Sequence, residues 1–199
     1  MASSTRSSIA ISRSDDWRRL TSNQWSRRAN CLVLVAAARS FETLGVRRES
    51  AMIVREIVET DRPDWVRLRE SLWPGSLSDH DVETQKYFDD RPETPLVLVA
   101  ESEGRVVGFL ELDFRKYASG CRSSPVAFIE GWHVEAAFQR RGIGRALVKA
   151  AEARARAMGH DEIASDSEFE NADGIAAHHA LGYEEVERVV CFRRSLRDA

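Results

Sequence analysis

The chain has 199 residues, 43% of them hydrophobic, and carries 29 Lys and Arg against 32 Asp and Glu, a formal charge of -3 at pH 7. That length accommodates one ordinary catalytic domain plus an extension. No stretch reaches the roughly 18 apolar residues of a membrane span, and Cys31, Cys121 and Cys191 are too far apart, and too far from His, to suggest a disulfide framework or a metal site. The charge is uneven. Residues 1–51 hold nine Arg and four acids, a net of +5, which leaves -8 on residues 52–199. An acidic domain repels nucleic-acid phosphates and anionic membranes and concentrates cationic ligands. Solubility alone accounts for such a surface equally well.

Residues 1–30 are rich in Ser and Arg without helical or alternating periodicity, a pattern expected of disorder. The apolar run 31–38 ends in Ala36-Ala37-Ala38 and imitates a signal peptide, but some thirty residues precede it. Asp15, Asp16, Glu42 and Glu49 argue against a transit peptide. The expectation is a cytoplasmic protein whose residues 1–51 are a disordered or non-native leader, with Met52 as the functional start. A domain over 52–194 and a short tail at 195–199 follow.

From Met52 the elements alternate. Residues 52–58 read as a strand, and Asp61-Arg62-Pro63 open a helix with Trp65, Leu68 and Leu72 on one face. A second helix is expected from Ser78, with Asp81 in a capping-box position, ending at Arg91-Pro92. Residues 96–100 and 105–114, joined by Glu101-Ser102-Glu103-Gly104, form a hairpin pattern. Residues 125–134 are a further strand interrupted by Glu130-Gly131, where an interior Gly signals a bulge. An amphipathic helix over 142–158, a short strand at 162–165 and a helix over 171–181 come next. A final pair of strands is expected at 183–187 and 189–193. The class is mixed α/β.

The strand-to-helix turn Gln139-Arg140-Arg141-Gly142-Ile143-Gly144-Arg145 carries the strongest chemical signal. Its glycines allow backbone N–H groups at a helix start to approach an anion, and the helix dipole and three Arg add positive potential. A basic turn with solvated arginines is the plain alternative. The missing Lys-Ser/Thr and the missing third Gly disfavour a Walker loop and a dinucleotide fingerprint.

Gln139-Arg140-Arg141-Gly142-Ile143-Gly144 resembles the Gln/Arg-x-x-Gly-x-Gly/Ala motif of the GCN5-related N-acetyltransferases. The resemblance implies a mixed, mostly antiparallel sheet, splayed at a central bulged strand and flanked by helices. It implies acetyl-CoA as co-substrate and no metal, with the pyrophosphate on Arg140, Arg141, Gly142, Ile143, Gly144 and Arg145 and pantetheine along Trp132, His133 and Val134. Further segments are similar to the aminoglycoside 6'-N-acetyltransferase branch: Leu72-Trp73-Pro74-Gly75, Tyr117 with Gly120-Cys121, Phe128-Ile129-Glu130-Gly131, Ala164-Ser165-Asp166, and Glu184-Glu185-Val186-Glu187. By that resemblance Trp73, Tyr117, Glu130, Asp166 and Glu187 bind a polycationic aminoglycoside and Asn171 touches CoA. Relatives of this kind are commonly homodimers.

Transfer to an amine needs a neutral nitrogen, so Glu130 and Asp166 are the candidate bases. A backbone N–H near Val134 is the candidate oxyanion donor. His178 occupies the position of an acid that many relatives supply as Tyr. Arg122 stands where the branch commonly has an acid, a departure that bears on which amine is accepted.

Overall fold

The computed structural model describes residues 52–195, apart from Ser76 and Glu93. The expectation of a disordered leader over 1–51 concerns residues outside this range.

Five strands form one sheet in chain order. Strand β1 (Ile53–Glu56) is its edge, antiparallel to β2 (Leu96–Ser102). Arg55 on β1 forks onto Asp61 at 2.5 and 2.9 Å and reaches Glu101 at 3.0 Å, fastening the edge to the next turn and to β2. Helices α1 (Arg62–Leu72) and α2 (Leu77–Asp90) follow. Ser78 lies inside α2, and Asp81 accepts from Arg62 Nη2 at 2.6 Å instead of closing a capping box. Strands β3 (Arg105–Arg115) and β4 (Val126–Val134) extend the antiparallel sheet. Helix α3 (Ile143–Ala157), strand β5 (Ile163–Ser165) and helix α4 (Ala172–Leu181) complete the order, with β5 parallel to β4.

Alternation along the strands gives each face of the sheet its own core. Leu98, Leu110, Leu112, Ala127 and Ile129 pack with Ile143, Leu147, Val148 and Ala151 of α3. On the opposite face Val97, Val99 and Phe109 pack with Trp65 and Leu68 of α1.

One charge cluster lies within this second layer. Glu111, 2% exposed, accepts from Trp65 Nε1 at 3.0 Å and faces Arg69 Nη1 at 3.3 Å. Arg69 also pairs with Glu83 at 2.6 Å, and its guanidinium lies 5.4 and 5.3 Å from the ring centroids of Trp65 and Trp73. A carboxylate this dry is tolerable only with its donors in place.

Opposite Glu111 the ladder slips. Glu111 pairs with Gly131 and Leu112 with Ile129, so Glu130 is the extra residue of a bulge in β4. Strand β5 pairs with β4 only at Ala127, Phe128 and Ile129. Beyond the bulge the two strands part, giving the splayed sheet expected.

The final pair of strands is a correction. Among the described residues, 183–195 form no ladder. Val186, Val189, Val190 and Phe192 are 60%, 69%, 78% and 93% exposed. Their apolar, β-branched character suits a strand, but a strand exists only where an edge is offered to it, and none among the described residues meets this segment.

Replacing Arg69 with Met should lower unfolding free energy by about 3–5 kcal/mol, because Glu111 then loses its charge partner in a dry site. Urea denaturation measures this, and Arg69→Lys should recover part of the loss.

Candidate active site

The parting of β4 and β5 leaves the β5-side edge of residues 130–134 without a ladder partner among the described residues. This edge leads directly into the basic turn. Gln139 Nε2 donates to Val134 O at 2.9 Å and holds the turn against the strand end. Gly142, at φ +84°, is the N-cap of α3, and a side chain there would sit in a backbone region unfavourable to L-residues. The first turn of α3 contains no acid, and Arg140, Arg141 and Arg145 are exposed around it. A Cβ on Gly144 would lie 2.8 Å from the Trp132 ring, so Gly is what lets the helix start approach β4. An open strand edge running into a cationic helix N-terminus fits an extended ligand with a pyrophosphate in the middle.

Not every candidate on β4 faces that edge. The His133 side chain lines a cleft of about 430 Å³ with Arg67, Ser71, Glu135 and Gln139. Burial holds its pKa below the ordinary histidine value, Glu135 opposing and Arg67 reinforcing. Its backbone alone remains on the open edge. Trp132 turns to the α3 side, where its indole meets His178 edge-on at 5.5 Å and its Nε1–H is buried without a hydrogen bond.

Glu130 and Asp166 are brought together at the bulge by a residue the sequence reading missed. Arg115, the last residue of β3, donates to both oxygens of Glu130, at 2.8 and 2.6 Å, and its Nη1 lies 3.7 Å from Asp166 Oδ2. The same guanidinium sits 3.5 Å above the Phe128 ring centroid. Asp166 keeps 61% of its side chain exposed, yet the protein on its inner side raises its pKa. Arg115 opposes that rise and Glu130 adds to it. The signal for Arg115 was its place at the end of an alternating strand directly before the Tyr117 loop.

Trp73 follows α1 and lays its indole on β4 beside the acids, where a Cβ on Gly131 would come within 2.5 Å of the ring. Tyr117 is 72% exposed in the loop after β3. Glu187 accepts from Ser119 Oγ, bringing the C-terminal segment to the same loop. Glu162, also missed from sequence, organises that loop from below. It accepts from the backbone N–H groups of Arg122 and Ser123, at 2.9 and 2.6 Å, and from Ser123 Oγ at 2.6 Å, which together depress its pKa. Arg122 is thus held by its backbone.

Asn171 is the N-cap of α4, accepting from Gly174 N at 2.9 Å. His178 uses both ring nitrogens, Nδ1 with Gly174 O at 2.7 Å and Nε2 with Ser165 Oγ at 3.0 Å. A carbonyl only accepts, so Nδ1 carries a proton, and Nε2 shares a hydrogen bond with the Ser165 hydroxyl. Among the described residues no group of three or more His, Cys, Asp or Glu is placed to hold a metal ion.

Comparison with known proteins identifies the family. Residues 62–183 match the family model of the acetyltransferase (GNAT) family. The chain is 42% identical over 152 residues to an aminoglycoside N(6')-acetyltransferase type 1 of Klebsiella aerogenes, covering 74% of this chain and 99% of that one. A protein of the same name from Stenotrophomonas maltophilia is 42% identical over 148 residues, covering 74% and 95%. Among solved structures, the aminoglycoside 6'-N-acetyltransferase AAC(6')-Ih of Acinetobacter baumannii superimposes with a TM-score of 0.68 at 34% identity, over 73% of this chain and 99% of that one. AAC(6')-Iy in complex with the bisubstrate analogue CoA-S-monomethyl-acetylneamine gives the same TM-score and identity over the same shares.

The chain belongs to the GNAT acetyltransferase family. It is an acetyl-CoA-dependent N-acetyltransferase.

Gly131→Ala should displace the Trp73 indole, lowering stability by about 1–3 kcal/mol and changing tryptophan fluorescence. Urea titration followed by fluorescence reads both.

Proposed function

We propose that this enzyme transfers acetyl to the 6'-amine of an aminoglycoside antibiotic and so confers resistance. The observation that carries the reading is the pair of acids at the parting of β4 and β5, gathered on one guanidinium, with the Trp73 indole against the neighbouring Gly131 and Tyr117 exposed two residues after Arg115. Carboxylates match ammonium groups, and aromatic faces match sugar rings.

Acetyl-CoA supplies the activated acetyl group as a thioester. In this reading Arg140, Arg141, Arg145 and the N–H groups at the start of α3 hold its pyrophosphate, and backbone groups of Trp132, His133 and Val134 line its arm. Asn171 stands at the adjoining helix start. Trp73, Tyr117, Glu130, Asp166 and Glu187 bind the amine, and Glu130 or Asp166 removes its proton. A backbone N–H near Val134 faces the developing oxyanion. His178, hydrogen-bonded to Ser165 Oγ through Nε2, is the acid that protonates the departing thiolate. Residues 52–194 form the functional unit.

The protein works in the cytoplasm, where acetyl-CoA is available. No helix among the described residues is long and apolar enough to cross a membrane. It works as a homodimer in which a second copy covers the apolar arm of Val186, Val189, Val190 and Phe192. Val190→Asp combined with Phe192→Asp should give a monomer in analytical ultracentrifugation; an unchanged sedimentation coefficient would remove the arm from the interface.

Thiol release from acetyl-CoA in the presence of kanamycin, together with growth of expressing cells on the drug, tests the activity. Turnover of spermidine with none of kanamycin would defeat the reading. Asp166→Asn or Glu130→Gln should lower kcat by about 10²–10⁴-fold, whichever is the base. A base with a raised pKa is silenced by protonation at a higher pH than usual. If Asp166 is that base, the acid limb of kcat/KM lies above the ordinary aspartate range, and Asp166→Asn removes the limb.

A further inference from the structure

Arg115 occupies a box built for a cation. The Phe128 ring is its floor, 3.5 Å below the guanidinium, and Glu130 and Asp166 are its walls at 2.6–2.8 and 3.7 Å. An aromatic face with two carboxylates is also what an ammonium group seeks. The box lies at the β4 bulge, beside the open edge and next to the Trp73 indole. Arg115 leaves 41% of its side chain exposed and starts from the last residue of β3, so it has room to swing into solvent without disturbing the ladder.

We propose that Arg115 is a resident guanidinium that fills an ammonium subsite in the free enzyme, that each incoming amine must displace, and that thereby sets one affinity threshold for all of them. The inference rests on the aminoglycoside reading only in placing the amine at Glu130 and Asp166. When a protein's own group occupies the site, the apparent dissociation constant of a ligand rises by the inverse of the open fraction. The factor is the same for every amine that uses the box. A polycation, with further ammonium groups to engage Glu187 and the surrounding acidic domain, still binds at low concentration. A monoamine has no such reserve and is pushed beyond useful affinity. The enzyme thereby ignores simple cellular amines while accepting polycations.

The test is the Kd of kanamycin, measured calorimetrically with the full chain saturated with CoA, for wild type, Arg115→Gln and Arg115→Lys. Arg115→Gln should bind about 2- to 5-fold more tightly, the range expected for releasing one partly exposed charge-assisted pair. Arg115→Lys, which retains the charge but loses the two-point fork, should fall between. A 6-amino-6-deoxy sugar with one ammonium should gain by the same factor in Arg115→Gln.

Removing a positive charge also attracts cations at long range, so the series is repeated in 0.5 M salt. Displacement predicts that the gain persists, because the box is a contact site. A gain that vanishes with screening would overturn the proposal, as would an unchanged or weakened Kd in either variant. Should Arg115→Gln fail to give a cooperative thermal transition, the Arg115→Lys series carries the same decision. Failure of wild type to acetylate any aminoglycoside defeats the functional reading; turnover by wild type with no gain in the variants defeats only the role of Arg115.

Discussion

The extra residue at Glu130 is the constraint on which the rest of this structure depends. A sheet strand satisfies its backbone on both sides, and β4 does so as far as Ile129. Past the bulge β5 leads away, and the strand arrives at the α3 turn with one edge unladdered. Backbone polar groups left in this way need a partner. A ligand that brings its own amides can supply it, and in the proposed function this makes the strand a rail for the cofactor. The same insertion places the Glu130 carboxylate at the fork, where it meets groups from β3 and the end of β5.

Charge is divided along that rail. At one end the helix start and its arginines present positive potential with no acid in the first turn. At the other the walls are carboxylates and the floor is aromatic. In the proposed function an anionic cofactor is drawn to the first end and a cationic acceptor to the second. Beneath it, the Arg69 and Glu111 pair stiffens the platform on which Trp73 rests, joining the stability of the α1 layer to the shape of the acceptor side.

Much of the fold was legible because its signals are local. The hairpin, the α3 stripe, the Asn171 start of α4 and the interruption at Glu130-Gly131 each follow from periodicity or a breaker residue. The strands expected at 183–187 and 189–193 were not recovered, since pairing belongs to the partner edge as much as to the segment. Arg115 was passed over for a related reason. Nothing near it in sequence reveals that Glu130, fifteen residues on, and Asp166, after β5, converge on its guanidinium. Asn171 and His178 stood out in the sequence, but their hydrogen bonds to Gly174 and Ser165 were visible only in space.

By itself, the sequence determined the class of chemistry. The Gln139 to Arg145 turn sits on one continuous strand-to-helix segment, so its anion-binding character needs no distant partner. The bulge likewise announces itself through a carboxylate and a glycine in an apolar run. Only the tertiary structure decided how the acids are held. Their distance, their shared cation and the raised pKa of Asp166 arise from the meeting of three strands, and electrostatic energies depend on separations and burial that linear order does not encode.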